Sequence, residues 1–305
     1  MRRTCLRLLL GLIAFWCAAV VAQEPYKFLN EIPIGGEGGW DIVTIDSAAS
    51  RLYLSHATKI VVVDLNKNAV VGEITDTPGV HAFMPVPELQ RGFSSNGKES
   101  KSSVVDLTTL KTLSKLDTGQ NPDAIAYELQ RGEVYIFNHT GNSATVIDAA
   151  KHEVVARWSV APGTEPSGIA LDAVHHRLFA TCHNKMMAML DTETGKVIAT
   201  VPIGAGVDGC AFDDSTQLAF ASCGEGTTTI TKEETPDKLT VVQTLKTERG
   251  ARTMAIDPKT HRIYLPSAQF QPPPSPSPGA SPARPTIVPN TLKLLVYGPA
   301  ESANH

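Results

Sequence analysis

Tyr53-Leu-Ser-His56 is the first of six short segments that share one pattern: an aromatic residue, two small or apolar residues, and then a polar one. The other five are Phe93-Ser-Ser-Asn96, Tyr135-Ile-Phe-Asn138, Phe179-Ala-Thr-Cys182, Phe220-Ala-Ser-Cys223 and Tyr264-Leu-Pro-Ser267. Successive copies are separated by 40 to 44 residues. A period of this length indicates a chain built from repeated supersecondary units.

Residues 40–75 show what one unit contains. Asp41–Ile45, Leu52–Ser55, Ile60–Val63 and Val70–Ile74 are short apolar or alternating segments separated by polar turn residues. Four short strands joined by tight turns predict an antiparallel meander. We therefore predict an all-β fold, a β-propeller made of four-stranded antiparallel blades.

The number of units predicts the number of blades. Six units begin near Trp40, Val80, Pro122, Pro166, Val207 and Ala251. The sixth has three strands of its own, the third being Leu292–Tyr297, and we expect Tyr26–Ile34 to supply the fourth. Pairing the first and last segments removes the exposed edges of an open array. We predict six blades in a ring closed by the N-terminal strand, with seven blades as the alternative.

The N-terminus predicts export. Three arginines within the first seven residues precede an apolar run from Leu8 to Val21, and Val20-Val-Ala22 precedes a plausible cleavage site at Gln23. The run is shorter than the roughly 20 apolar residues of a membrane-spanning helix. We expect residues 1-22 to be a signal peptide. The remaining protein would then be periplasmic or secreted, with no stable membrane span.

The remaining chain is predicted to form one propeller domain, residues 23-299, followed by a C-terminal tail, residues 300-305. Within the domain, the Pro/Ser-rich stretch 271-290 interrupts the sixth unit between its second and third strands. Such a composition does not pair in a sheet, so we expect an extended loop. It is either a lid over one face or a tolerated surface insertion.

The net charge of the chain indicates whether a nucleic acid is an expected partner. The whole chain has a formal net charge of −4 at pH 7, and removal of residues 1-22 takes away three arginines and no acids. Nucleic-acid affinity comes mostly from Lys and Arg that neutralise phosphates. We therefore expect no nucleic-acid partner.

Three cysteines lie beyond the signal segment: Cys182, Cys210 and Cys223. The number is odd, and no CxxC or His-rich metal spacing surrounds them. An exported protein tolerates disulfides, so a Cys182–Cys223 or a Cys210–Cys223 bond is conceivable. The alternative is three small buried thiols.

A column of polar residues predicts the binding site. Twelve residues before each aromatic marker, the units carry Asp41, His81, Asp123, Ser167, Asp208 and Arg252. Two positions further along stand the apolar residues Val43, Phe83, Ile125, Ile169, Cys210 and Met254. In a propeller this pattern places a polar ring at the mouth of the central channel, and convergent polar groups in a concave place mark a binding site. Trp40, His56, Asn96 and Asn138 are further candidates on the same face.

Metal binding is possible within this ring. Asp41, Asp123 and Asp208 would supply oxygen ligands for Ca²⁺ or another divalent cation. Alternatively, Asp123 or Asp208 forms a structural ion pair with Arg252. A transition-metal site lined by His56, His81, His139 and His183 is a third arrangement, although no short-range spacing connects these histidines.

Several phrases resemble the YVTN-type, YncE-like β-propellers of bacteria. They are Asn121-Pro-Asp-Ala-Ile-Ala126, Glu165-Pro-Ser-Gly-Ile-Ala170, Thr145-Val-Ile-Asp148, Asp191-Thr-Glu-Thr-Gly-Lys-Val197 and the segment Gly250–Tyr264. The resemblance covers nearly all of the chain beyond the signal segment. It implies a propeller fold and an exported protein, but no catalytic set. Some relatives of the superfamily are lactonases, and others accompany redox enzymes.

Three functions follow as hypotheses. The first is an exported, monomeric propeller, without an assigned reaction, that binds a small-molecule ligand, a cation or an envelope protein at the channel face. The alternative is a lactonase-like hydrolase whose acidic ring holds a divalent metal that polarises a carbonyl. The second alternative is a scaffold subunit of an envelope or redox complex.

Overall fold

A computed structural model describes residues 25–33, 41–46, 48–56, 58–64, 66–67, 69–271, 286–291 and 293–300. The predicted signal peptide, Trp40, most of the Pro/Ser-rich stretch and residues 301–305 of the predicted tail lie outside the described residues. The described strands form six four-stranded antiparallel sheets, which are the blades of a propeller ring. The predicted fold and number of blades are confirmed. Within the described part of the chain, no helix has the length and apolar character needed to cross a bilayer.

Each of the first five blades is a continuous stretch of chain. Blade 1 contains β2 (Val43–Asp46), β3 (Arg51–His56), β4 (Lys59–Asp64) and β5 (Ala69–Ile74). Blade 2 contains β6 (Val80–Val86), β7 (Arg91–Asn96), β8 (Lys101–Asp106) and β9 (Thr112–Asp117), with a 3-10 turn at Pro87–Leu89. Blade 3 contains β10 (Pro122–Glu128), β11 (Glu133–Asn138), β12 (Ser143–Asp148) and β13 (Glu153–Ser159). Blade 4 contains β14 (Pro166–Asp172), β15 (Arg177–Cys182), β16 (Met186–Asp191) and β17 (Val197–Pro202). Blade 5 contains β18 (Val207–Asp213), β19 (Leu218–Cys223), β20 (Thr227–Thr235) and β21 (Lys238–Lys246).

Blade 6 joins the two ends of the chain. Its strands are β22 (Ala255–Asp257), β23 (Arg262–Ser267), β24 (Lys293–Pro299) and the N-terminal strand β1 (Tyr26–Pro33). Strand β1 pairs antiparallel with β24 from Tyr26↔Pro299 to Pro33↔Lys293. The predicted closure by the N-terminal strand is therefore confirmed.

The repeat has a packing explanation. The marker aromatics Tyr53, Phe93, Tyr135, Phe179 and Phe220 are at most 1% exposed. In blades 3 to 6 the residue directly opposite the marker, on the first strand, is an alanine: Ala126, Ala170, Ala211 and Ala255. An alanine at this position leaves room for the aromatic side chain near the narrow centre of the propeller. Burying a large apolar side chain contributes roughly 1.5–3 kcal/mol, so the aromatic must recur once in each blade.

Aspartates at the ends of the third strands cap the turns that follow. In each of four blades, Oδ1 accepts hydrogen bonds of 2.8–3.1 Å from the backbone N–H groups two and three residues later. The four residues are Asp64, Asp106, Asp148 and Asp191. This is the usual way in which an aspartate stabilises a turn. These carboxylates are thus engaged in the turns between strands.

Candidate functional site at the channel mouth

Four of the six predicted mouth residues lie at β-bulges. Where the first strand pairs with the second, the register shifts between Val80 and Ala82, Pro122 and Ile125, Pro166 and Gly168, and Val207 and Gly209. The intervening residues include His81, Asp123, Ser167 and Asp208. A bulge leaves an extra residue unpaired and re-aims its side chain. Asp41 and Arg252 instead lie in the segments that lead into β2 and β22.

His81 is held between two carboxylates. Its Nδ1 lies 2.8 Å from Asp41 Oδ2, in the preceding blade, and 3.9 Å from Asp123 Oδ1, in the next. The hydrogen bond to Asp41 and the nearby negative charges outweigh the effect of burial and raise the pKa of His81 to about 8. The imidazole is therefore largely protonated at pH 7.

A second ion pair joins blades 5 and 6 at the mouth. Arg252 Nε is 3.2 Å from Asp208 Oδ2, and the Arg252 side chain is 60% exposed. Burial raises the pKa of Asp208, and the positive charge of Arg252 opposes that rise. The Ser167 hydroxyl connects blades 4 and 5, since it donates a 3.1 Å hydrogen bond to the Val207 carbonyl.

Asp123 is the ring carboxyl whose burial is least offset by neighbouring positive charges. It is buried, and burial raises its pKa to about 8, with further upward contributions from Asp208 and Asp41. The cations His81 and Arg252 act in the opposite direction but do not cancel the burial effect. A carboxyl with this pKa is largely protonated at pH 7. It can donate a hydrogen bond, or it can ionise when a cation approaches.

A mostly apolar cavity of about 130 Å³ adjoins these groups, and Ser167 and Asp208 belong to its lining. Its lining includes Phe83, Ile125, Ile169, Cys210 and Met254, which are members of the predicted apolar column. In blade 1 the lining residues are Ile42 and Thr44, whereas Val43 is 43% exposed. Val43 pairs with Leu54 at the position where Phe83 pairs with Ser94 in blade 2.

The remaining predicted site residues have other surroundings. Asn96 and Asn138 are fully buried at the ends of β7 and β11. Asn96 Nδ2 donates to Glu99 and Ser103, and Asn138 Oδ1 accepts from the Gly119 N–H at 3.0 Å. Their amides thus connect segments of the protein itself. His56 is exposed at the end of β3.

Two groups of side chains among the described residues place three potential metal-ligand atoms within 4.8 Å of one another. They are His139, Glu165 and His183, and Asp172, His175 and Glu233. The predicted set Asp41, Asp123 and Asp208 is not one of these groups. Binding of Ca²⁺ by those three aspartates stays a prediction.

The three cysteines are free thiols. Burial raises the pKa of Cys182 to about 12 and that of Cys223 to about 11. Burial also raises the pKa of Cys210. Because the thiolate is the reactive form, these surroundings do not activate a cysteine nucleophile.

Two contacts between blades were not predicted. His176 Nδ1 lies 2.6 Å from Glu128 Oε1, and His261 Nδ1 lies 2.7 Å from Asp213 Oδ2. Each acid is a buried last residue of a first strand, and each histidine comes from the next blade. The two pairs share a sequence separation of 48 residues, and this repeated offset is the signal that could have revealed them.

Comparisons with known proteins support the family. No family model matches the chain. The uncharacterized protein YncE of Salmonella typhi is 26% identical over 178 residues, which cover 56% of this chain and 48% of that protein. The chain thus aligns with about half the length of this curated relative.

A solved structure supports the architecture. The hydrazine synthase of Kuenenia stuttgartiensis matches with a TM-score of 0.64 and 17% identity, covering 73% of this chain and 72% of that chain. At this identity the match concerns the fold alone. The chain is thus a six-bladed β-propeller whose sequence is similar to that of YncE.

Proposed function

We propose that this propeller binds a small organic molecule at the channel mouth, with a cationic head group beside Asp123 and an apolar body in the channel. The observation that carries the proposal is the position of Asp123. It is a buried carboxyl with a pKa of about 8 in a polar ring whose members Ser167 and Asp208 line a mostly apolar cavity.

The pairing of the other charges in the ring leaves Asp123 for a cationic ligand. His81 is hydrogen-bonded to Asp41, and Arg252 is paired with Asp208. Asp123 is left with a single cationic side chain within 4 Å among the described residues, the His81 ring that Asp41 already binds. A ligand ammonium group beside Asp123 would favour its ionised form and release a proton.

The cavity sets the size of the apolar body. Its volume of about 130 Å³ is close to that of an engineered apolar cavity of ~150 Å³ that holds benzene. The Phe83, Ile125, Ile169 and Met254 side chains would contact the apolar body, and Asp208 and Ser167 also line the cavity. A body of roughly four to six carbon atoms fits such a space.

Butylammonium, butanol and butyrate test this proposal, because they share an apolar body and differ in the head group. Thermal unfolding of the purified protein with each compound measures binding, since a ligand of the native state raises the unfolding temperature. We expect butylammonium to give the largest increase, to bind more tightly as the pH rises from 6 to 9, and to lose its effect in Asp123→Asn.

The matched control is Asp117→Asn, because the side chain of Asp117 is 78% exposed on β9. This variant should respond like the wild type. An equal response to butyrate, or an unchanged response of Asp123→Asn, would contradict the proposal. Turnover of a lactone that is lost in His81→Gln would favour the hydrolase instead.

The location of the protein is part of the proposal. The signal-like sequence of residues 1-22 supports an exported binding protein whose chain begins at Gln23. The intact mass of the protein from a periplasmic or culture fraction measures this directly. A mass that includes residues 1-22 would exclude cleavage at this site.

A further inference from the structure

Blades 3 and 4 carry metal-ligating side chains at positions where the other repeats carry none. The residue directly after the second strand is Ala57, Gly97, His139, His183, Gly224 and Ala268 in the six units. The residue two positions before the mouth residue is Gly39, Gly79, Asn121, Glu165, Gly206 and Gly250. The two histidines and the glutamate thus depart from repeats of glycine, alanine and asparagine, and they occur in adjacent blades.

The fold brings these three side chains together. The His139 and His183 rings meet edge to face, with centroids 4.7 Å apart and planes at 80°. His183 Nδ1 is 3.8 Å from Glu165 Oε2. One ligand atom from each of the three residues lies within 4.8 Å of the others.

The backbone holds the group in place. The His139 N–H donates to the Asn121 carbonyl at 2.8 Å, and the His183 N–H donates to the Glu165 carbonyl at 3.2 Å. The Glu165 N–H donates to Asn142 Oδ1 at 2.6 Å. Glu165 has a φ of 51°, at a position where Gly79, Gly206 and Gly250 also have positive φ. A glutamate is an uncommon choice for this left-handed conformation.

His139 has a free ligand atom. Its Nδ1 is shielded from solvent and has no hydrogen-bond partner among the described residues. Burial and the neighbouring His183 lower the pKa of His139.

We propose that His139, His183 and Glu165 form a binding site for a divalent transition metal such as Zn²⁺ or Cu²⁺. Two imidazole nitrogens and one carboxylate oxygen suit these ions. Donors of a tetrahedral zinc with bonds of about 2.0–2.1 Å lie about 3.3 Å apart, so the three side chains need a modest contraction. The His183 and Glu165 side chains are 37% and 54% exposed, which leaves them room to move and leaves further coordination positions to water.

The site is distinct from the aspartate ring but lies within electrostatic reach of it. The charge of His183 acts on Asp208, and that of His81 acts on His139. A metal bound here would add positive charge beside the mouth. The metal proposal does not depend on the proposed binding of a small molecule. It concerns different residues, and it is tested with Zn²⁺ and Cu²⁺ instead of butylammonium.

The repeats themselves supply the test variants. His139→Gly, His183→Gly and Glu165→Asn each install a residue that another blade already has at the same position. His152→Asn is the matched control, because it removes a histidine with positive φ from a turn outside the group. Zn²⁺ binding is measured by calorimetric titration of the purified proteins. Electron paramagnetic resonance of bound Cu²⁺ counts the nitrogen ligands.

We expect one zinc ion per wild-type chain, and binding weakened at least roughly tenfold in each of the three variants. The Cu²⁺ spectrum should show two nitrogen ligands in the wild type and one in His183→Gly. If His139→Gly fails to fold, the exposed variant His183→Gly decides the outcome.

Absence of zinc binding by the wild type would overturn the proposal. So would full affinity in His183→Gly, or a loss confined to His81→Gln or Glu233→Gln, which would place the ion in the mouth or in the Asp172 group. An equal loss in His152→Asn would indicate nonspecific binding by surface histidines and would also overturn it.

Discussion

His81 Nδ1 lies 2.8 Å from Asp41 Oδ2, although the two residues are 40 positions apart and belong to consecutive blades. The hydrogen bond connects blades 1 and 2 at the channel mouth and keeps the imidazole charged. Asp41→Asn removes the negative partner that contributes most to the raised pKa of His81. We expect that pKa to fall from about 8 towards the usual value of about 6.5. Titration of the His81 ring protons by NMR measures the shift, and an unchanged pKa would mean that Asp41 is not its partner in solution.

The pKa of Asp123 predicts how stability depends on pH. Above the usual range of an aspartate, the unfolded chain has released this proton while the folded chain retains it up to about pH 8. The free energy of unfolding therefore falls as the pH rises from about 4 to about 8. His81 adds to the decrease between its ordinary pKa and about 8, because its folded-state pKa is also raised.

Asp123→Asn removes the aspartate contribution. We therefore expect the difference in unfolding temperature, Asp123→Asn minus wild type, to be more positive at pH 9 than at pH 5. Thermal unfolding at both pH values measures this, with Asp117→Asn as the exposed control. A constant difference between Asp123→Asn and the wild type would show that Asp123 titrates normally.

Gln243 connects blade 5 to the closing strand β1. Its side chain accepts a 2.9 Å hydrogen bond from the Tyr26 N–H and donates one of 2.8 Å to the Tyr26 carbonyl, so β21 of blade 5 binds β1 of blade 6. Gln243→Ala leaves both buried backbone groups without these partners, which costs about 1–3 kcal/mol of unfolding free energy. Denaturant unfolding measures the loss.

The neighbouring substitution Val242→Ala is the control, because Val242 is 42% exposed on the same strand. Surface changes of this kind usually stay within about 0.5 kcal/mol. Equal losses in the two variants would show that the hydrogen bonds to Tyr26 contribute nothing specific.

Gly209 allows β18 of blade 5 to approach the segment that leads into β22 of blade 6. A Cβ at this position would meet Ser222 Oγ, and it would lie 2.9 Å from the Met254 nitrogen and 3.1 Å from the Arg252 oxygen. Backbone atoms cannot move aside as a flexible side chain can. We expect Gly209→Ala to cost about 1–3 kcal/mol and to weaken butylammonium binding, because it displaces the segment that carries Arg252.

Gly132→Asn is the control for this substitution. A Cβ at Gly132 meets nothing within 4 Å, and asparagine tolerates its φ of 64°. Denaturant unfolding and the butylammonium response measure both variants. A stable Gly209→Ala protein with normal binding would contradict the role assigned to this close approach.

The sequence by itself determined the repeat, the number of blades and the closing strand. Every blade must bury one large side chain near the narrow centre, so the marker aromatics recur at a fixed period, as Tyr135 and Phe179 do opposite Ala126 and Ala170. That requirement is local, and it is therefore visible in the order of residues. The column from Asp41 to Arg252 was visible because it repeats with the same period. Equivalent positions in successive units lie at the same end of the propeller.

Only the tertiary structure decided which charged side chains of the channel mouth form ion pairs and which carboxyl stays without a cationic partner of its own. The bulges that re-aim His81 and Asp123 arise from the pairing of two strands, and composition does not reveal them. The raised pKa of Asp123 depends on burial and on charges from four other blades. The meeting of Glu165 with His139 and His183 depends on distances across a blade interface. Such contacts join different blades, and a set of residues that occurs in one pair of blades only has no repeated spacing that would reveal it.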